Sequence, residues 1–179
     1  MLTNNYNHQT AVFRRIARQL RTLVKKDGIR FPDIGDGDYS IAAIFAIQLL
    51  KYYSEPEIKT SAPEGYRALI NDKNKEIILS VDFYYHGKRL HLSHCFDGDI
   101  LQHQIEALNA AEVAYSKKKT DFQVCYVEFL YAEQPYLTVY NQHRLSIYTY
   151  QDKLLKKISK AQLADKLSKI QSSIQPFPQ

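Results

Sequence analysis

Apolar residues recur at helical spacing over residues 8–27. Val12, Phe13, Ile16, Leu20, Leu23 and Val24 share one side at about 100° per residue, while Arg14, Arg18, Arg21 and Lys25 fall on the other. Gly28 is a natural helix stop. After the break FPDIGDGDYS, Ile41, Ile44, Phe45, Ile47, Leu49 and Leu50 surround a helical projection almost completely. Residues 40–53 therefore read as a second helix, buried on most sides. From Tyr66 the period falls to two. YRALIN, EIILSVDFYYH and RLHLSHCF read as three antiparallel strands, turning at DKNK and at Gly87-Lys88. Asp97 or Asp99 then caps a helix over residues 99–117 that carries Ile100, Leu101, Ile105, Leu108 and Val113. Further strands follow at about 122–131, 136–140 and 144–150.

Residues 151–158 fit either a short strand or the start of a long helix. Ser159 followed by Gln162 is a capping box that opens a fresh helix over 160–173, which favours the strand. Leu163, Leu167, Ile170 and Ile174 form that helix's apolar stripe. The order predicts a single α+β domain over residues 1–174, with 175–179 a flexible tail. Its sheet, over 66–158, has about six or seven antiparallel strands with helices packed on one face. Two helices precede the sheet within residues 8–53, one is inserted in it, and one closes the chain.

The hairpin SVDFYYHGKRLHLSHCF holds the densest chemistry. A two-residue Gly87-Lys88 turn pairs His86 with Arg89, Tyr84 with His91, Asp82 with Ser93 and Ser80 with Cys95. The other face pairs Tyr85 with Leu90, Phe83 with Leu92, Val81 with His94 and Leu79 with Phe96. Asp82, Tyr84, His86, Arg89 and His91 then project together onto a polar face, and His94 points the other way. Asp82, His86 and His91 are the candidate catalytic set for a hydrolase or nuclease. His91, Cys95, Asp82 and Ser93 stop short of a metal site, since nothing positions a fourth ligand such as His103.

In the later strands, a three-residue Asn141-Gln142-His143 loop pairs Val139 with Leu145 and Leu137 with Ile147. That register leaves Tyr136, Thr138 and Tyr140 facing Arg144, Ser146 and Tyr148, with Tyr126 and Glu128 alongside. Such a tyrosine-rich polar face suits a protein interface better than a base-stacking platform, because only Arg144 supplies charge beside it.

Composition narrows the functional classes. The chain is 45% hydrophobic and 24% charged, as expected of a globular protein with a real core. Its net charge of +5 is uneven. Residues 1–30 hold seven Lys/Arg against one acid, residues 151–170 six against two, and residues 31–150 eleven against sixteen. Two basic ends can attract an anionic partner. The two cysteines, Cys95 and Cys125, suit a reducing compartment. The longest apolar run falls far short of the roughly 20 residues of a membrane span, and MLTNNYNHQT is not a signal pattern. A cytoplasmic protein without membrane contact is expected.

Asp33, Asp36 and Asp38 fail the EF-hand template and read as turn and cap residues. No P-loop, dinucleotide fingerprint, zinc pair or nucleophile elbow occurs, so no metal or cofactor is expected and an enzyme is disfavoured. The leading expectation is a non-catalytic protein-interaction protein of chaperone, adaptor or toxin-neutralising type. It would bind a protein, or a second copy of itself, through Tyr84, Arg89, Tyr126, Tyr136, Tyr140, Arg144 and Tyr148. The alternative is a nucleic-acid-binding accessory protein using Arg14, Arg18, Arg21 and Lys25.

Overall fold

The computed structural model describes residues 2–3, 10–26, 39–49, 63–118, 121–128, 135–141 and 144–173. In chain order these form β1 (Leu2–Thr3), α1 (Ala11–Lys26), β2 (Ser40–Leu49), β3 (Gly65–Asn71), β4 (Ile77–His86) and β5 (Arg89–Phe96). They continue as α2 (Gly98–Tyr115), β6 (Phe122–Glu128), β7 (Tyr136–Tyr140), β8 (Leu145–Gln151), β9 (Leu154–Ile158) and α3 (Lys160–Ser173). One nine-stranded sheet runs β5-β4-β3-β2-β6-β7-β8-β9, with β1 added beside β6.

The α+β class holds, and its finer description changes. The expected helix over 40–53 is strand β2 through its described part. A segment that is apolar on all sides suits a strand covered on both faces as well as a buried helix, and the run of Ile and Phe favours the strand. β2 pairs antiparallel with β3 and parallel with β6, so the sheet is mixed, not antiparallel. The described residues therefore hold three helices instead of four.

The helices also divide between the two faces of the sheet. Ile16 and Leu20 of α1 pack on Ile44, Ala68, Val81 and Phe83. Leu163 and Leu167 of α3 pack on Val127, Tyr136 and Ile147 of the same face. Ala107, Ala111 and Tyr115 of α2 pack on Ile47, Val124, Tyr126 and Leu137 of the opposite face. Strand alternation requires two covers here, because β2, β3 and β6 are apolar at nearly every position.

Local signals account for the element ends. Gly87 takes φ +61 at the first turn position between β4 and β5, as a two-residue hairpin with glycine there does. Asp72 accepts from the backbone N–H groups of Asn74 and Glu76, which closes the DKNK turn. The capping box opens α3 reciprocally: Gln162 N–H donates to Ser159 Oγ at 3.1 Å and Ser159 N–H to Gln162 Oε1 at 2.8 Å. Residues 154–158 are a strand. Asp97 is the N-cap of α2 but makes no side-chain cap bond. The flexible tail expected at 175–179 and the Asp33, Asp36 and Asp38 turn lie outside the described residues.

Candidate functional site

Near its turn the β4–β5 hairpin has the expected register: His86 opposite Arg89, Tyr85 opposite Leu90, Tyr84 opposite His91 and Phe83 opposite Leu92. A bulge at Ser93 then shifts the pairing, giving Asp82 with His94, Val81 with Cys95 and Ser80 with Phe96. One extra residue reverses the side-chain alternation beyond it. His94 consequently shares the face of Asp82 and Tyr84, which corrects the expectation that it points the other way. It stacks on Phe96, with ring centroids 6.0 Å apart.

Asp82 is not on a solvated face. It is 1% exposed and receives both Nε and Nη2 of Arg67 at 2.7 Å, a bidentate pair. Arg67 Nη2 also meets Glu128 Oε1 at 2.7 Å. The guanidinium lies over Tyr126 at 4.5 Å and against Phe96 at 5.1 Å. Tyr126 donates its hydroxyl to the Gln104 carbonyl of α2, and Ser80 donates to the Gln104 side chain at 2.7 Å. Gly65 sits opposite Tyr84, and a Cβ there would stand 2.6 Å from the Tyr84 ring and 2.5 Å from the Phe83 carbonyl oxygen. Only glycine admits that close crossing.

Two carboxylates share one cation, which fixes the electrostatics. Burial opposes the charge on Arg67, but the Asp82 hydrogen bonds and the Glu128 and Asp82 charges outweigh it and hold Arg67 protonated. Burial raises the Glu128 carboxyl above its ordinary value; Arg67 partly offsets this, and Asp82 adds to it. Burial, then Asp82, likewise raises the Tyr84 hydroxyl.

Sequence reasoning missed Arg67 and Glu128 as partners of Asp82. The DKNK turn did not give Arg67 away: its register pairs Asn71 with Ile77 and would set Arg67 opposite Val81, and only a bulge beyond Ile70 brings Arg67 opposite Asp82. Of the candidate catalytic set, His86 and His91 are exposed, with ring centroids 6.2 Å apart. Asp82 lies four residues along β4 from His86, about 13 Å at strand rise. The histidines are thus together and Asp82 is committed elsewhere.

The tyrosine set does not share one face. The connection between β7 and β8 spans residues 141–144, so Val139 pairs with Ser146 and Leu137 with Tyr148 instead of Leu145 and Ile147. Tyr126 and Tyr148 lie on the α2 face, and Tyr136 and Tyr140 on the other. Tyr126 and Tyr136 are 1% and 3% exposed. Tyr148 bonds the Tyr115 hydroxyl at 2.9 Å, while burial and that bond push its own pKa up to about 12. Arg144 is exposed at the loop.

The basic residues converge instead. Between α1 and the end of the β4–β5 hairpin lies an open groove of about 620 Å³, within the usual size of ligand sites. Arg15 and Arg18 line it from the helix, and Lys88, Arg89 and His91 from the hairpin, over a floor of Leu90 and Leu92. Among the described residues, no acid lines it. Of the expected basic row, Arg18 lines the groove, Arg14 and Arg21 are exposed, and the Lys25 side chain lies outside the described residues. Arg15 and Lys88 are additions. Arg15, Arg18, Gln19 and Thr22 all line the groove and follow helical spacing, a stripe the sequence displays.

Among the described residues, no helix is long and apolar enough to cross a membrane, and no group of three or more His, Cys, Asp or Glu could hold a metal ion. The chain matches no protein-family model, no curated protein and no solved structure.

Proposed function

We propose that this chain is a non-catalytic protein-interaction protein whose partner presents an acidic segment to the groove between α1 and the β4–β5 hairpin. One observation carries the reading: Arg15 and Arg18 of α1 and Lys88 of the turn line one groove with no acid among its described lining residues. Arg89 borders it from β5, with its side chain alternating to the opposite sheet face. Concentrated charge of one sign beside low-dielectric walls focuses the field and speeds the capture of an opposite charge. The most reactive-looking residue, Asp82, is spent on Arg67, which speaks for structure over chemistry at that point. With Tyr126 and Tyr136 inside the core, the interaction surface moves from the tyrosine face to this groove.

Fluorescence anisotropy with labelled poly-L-glutamate tests the reading. Binding should occur at low salt, weaken as salt rises, and weaken further in Arg18→Glu and Arg89→Glu. Absence of binding at low salt, or identical binding by both variants, refutes it. A second reading, nucleic acid, draws on exposed Arg14, Arg18 and Arg21 along α1. Oligothymidine in the same assay separates the two, through whichever polyanion binds more tightly at equal salt.

A further inference from the structure

The geometry points to the form in which the acidic segment is held: we propose that it docks as an extended strand added to the free edge of β5, beneath α1. This rests on the groove being an acidic-segment site, and goes further by naming the main chain of β5 as half of that site.

Among the described residues, β5 is the outermost strand of the sheet at this end. The direction of its main-chain groups follows from two contacts. Tyr85 N–H donates to the Glu64 carbonyl on the β3 side, so Tyr85 turns its main chain away from β5. Its cross-strand neighbour Leu90 therefore turns its own N–H and C=O away from β4, toward the open edge. The second contact agrees: the Leu90 carbonyl accepts from the Gln19 side-chain amide of α1. Alternation gives Leu92 the same outward direction before the bulge at Ser93.

The groove thus combines a rung of edge hydrogen-bonding groups, the apolar side chains of Leu90 and Leu92, and cations at the helix wall and the hairpin tip. Lys88 to Leu92 span five residues, about 16 Å of strand. An extended acidic peptide uses all three features: backbone groups for the edge, apolar side chains against Leu90 and Leu92, and carboxylates for Arg15 and Arg18 on the α1 face and for Arg89 on the opposite face. Gln19 holds one rung in the free protein, where the partner's first N–H would take its place.

Two other occupants fit less well. A single-stranded nucleic acid would want aromatic platforms, and among the described residues no Phe, Tyr or Trp lines the groove. A second copy pairing edge to edge about Leu90 would set Arg89 opposite His91 and bring no carboxylate to the groove's cations, and charged edge residues are a common guard of exposed strands. The cations that a second β5 leaves unmatched are the ones that admit an acidic strand.

The test uses the whole protein and three labelled probes in fluorescence anisotropy: an alternating Glu-Val peptide, the same peptide N-methylated at alternate amides, and poly-L-glutamate. The alternating peptide should bind, and N-methylation should weaken it about tenfold, as loss of one to two net hydrogen bonds predicts. Gln19→Ala should tighten the alternating peptide and leave poly-L-glutamate unchanged. Equal affinity of the methylated and unmethylated peptides overturns strand addition while leaving the acidic-segment reading intact. Failure of every acidic probe overturns both. Oligothymidine binding more tightly than the alternating peptide at equal salt overturns the peptide assignment in favour of nucleic acid.

Discussion

Arg67 has two carboxylate partners, and the one it serves less is the residue to titrate. Asp82 takes two of its donors and Glu128 one. Burial foremost, together with the Asp82 charge and against the attraction of Arg67, raises the Glu128 carboxyl above its ordinary value of 4.5. A raised folded-state value means the folded chain holds this proton more tightly than the unfolded chain does. Glu128 therefore favours folding most below the ordinary value, and this contribution is lost as pH rises through the raised one. Glu128→Gln keeps an acceptor for Arg67 and removes the titration. The urea midpoint of the variant should rise relative to the parent between about pH 4 and pH 7. A difference that stays flat or reverses over that range would show that Arg67 outweighs burial at Glu128. Some of this cluster was legible beforehand: alternation put Asp82, Tyr84 and His91 on one face. Its burial was not, because a polar strand face reads as solvated until something is known to cover it. The cover is Gln104 of α2 and Tyr126 of β6, which reach it only through the tertiary fold.

At the scale of elements, what could be read depended on whether a segment's surroundings were local. Hairpins, the capping box of α3 and the strand at 154–158 rest on turn and cap chemistry within a few residues, and the sequence displays them. β2 does not: its neighbours β3 and β6 come from distant parts of the chain, and only they distinguish a two-face-buried strand from a buried helix. The single-residue bulge at Ser93 and the extra loop residue before β8 are equally invisible to periodicity, and each inverted the faces expected beyond it. The β8–β9 turn shows what an unusual local choice costs. Asp152 and Lys153 both adopt positive φ, at 53° and 60°, in a two-residue connection. A lysine there carries a penalty on the order of 1 kcal/mol that glycine avoids. Lys153→Gly should accordingly raise stability by about 0.5 kcal/mol at most, after the extra chain entropy of glycine is set against the relieved strain. Urea denaturation at neutral pH measures it, and a destabilised variant would mean that the lysine side chain makes a contact outweighing the backbone strain.

The whole molecule places its charge in a way that serves binding more than folding. Arg15, Arg18, Lys88 and Arg89 gather at one end of the sheet, in a chain of net charge +5. Like charges held together by α1 and the hairpin repel one another, so the free protein should be less stable than its packing allows. A binding site that keeps such repulsion trades stability for its partner's charge. Arg18→Glu should then raise the urea midpoint of the free protein at low salt while abolishing capture of the acidic peptide. The gain should fade at high salt, as the screening length falls from about 10 Å at 0.1 M to about 3 Å at 1 M. Lys117→Glu, at an exposed position outside the groove, is the comparison: it makes the same change in net charge without relieving the cluster. If Lys117→Glu stabilises the protein as much as Arg18→Glu does, the effect belongs to net charge alone and the groove holds no concentrated field. If only Arg18→Glu does so, the repulsion is local, and the surface that destabilises the free chain is the one an acidic strand would neutralise.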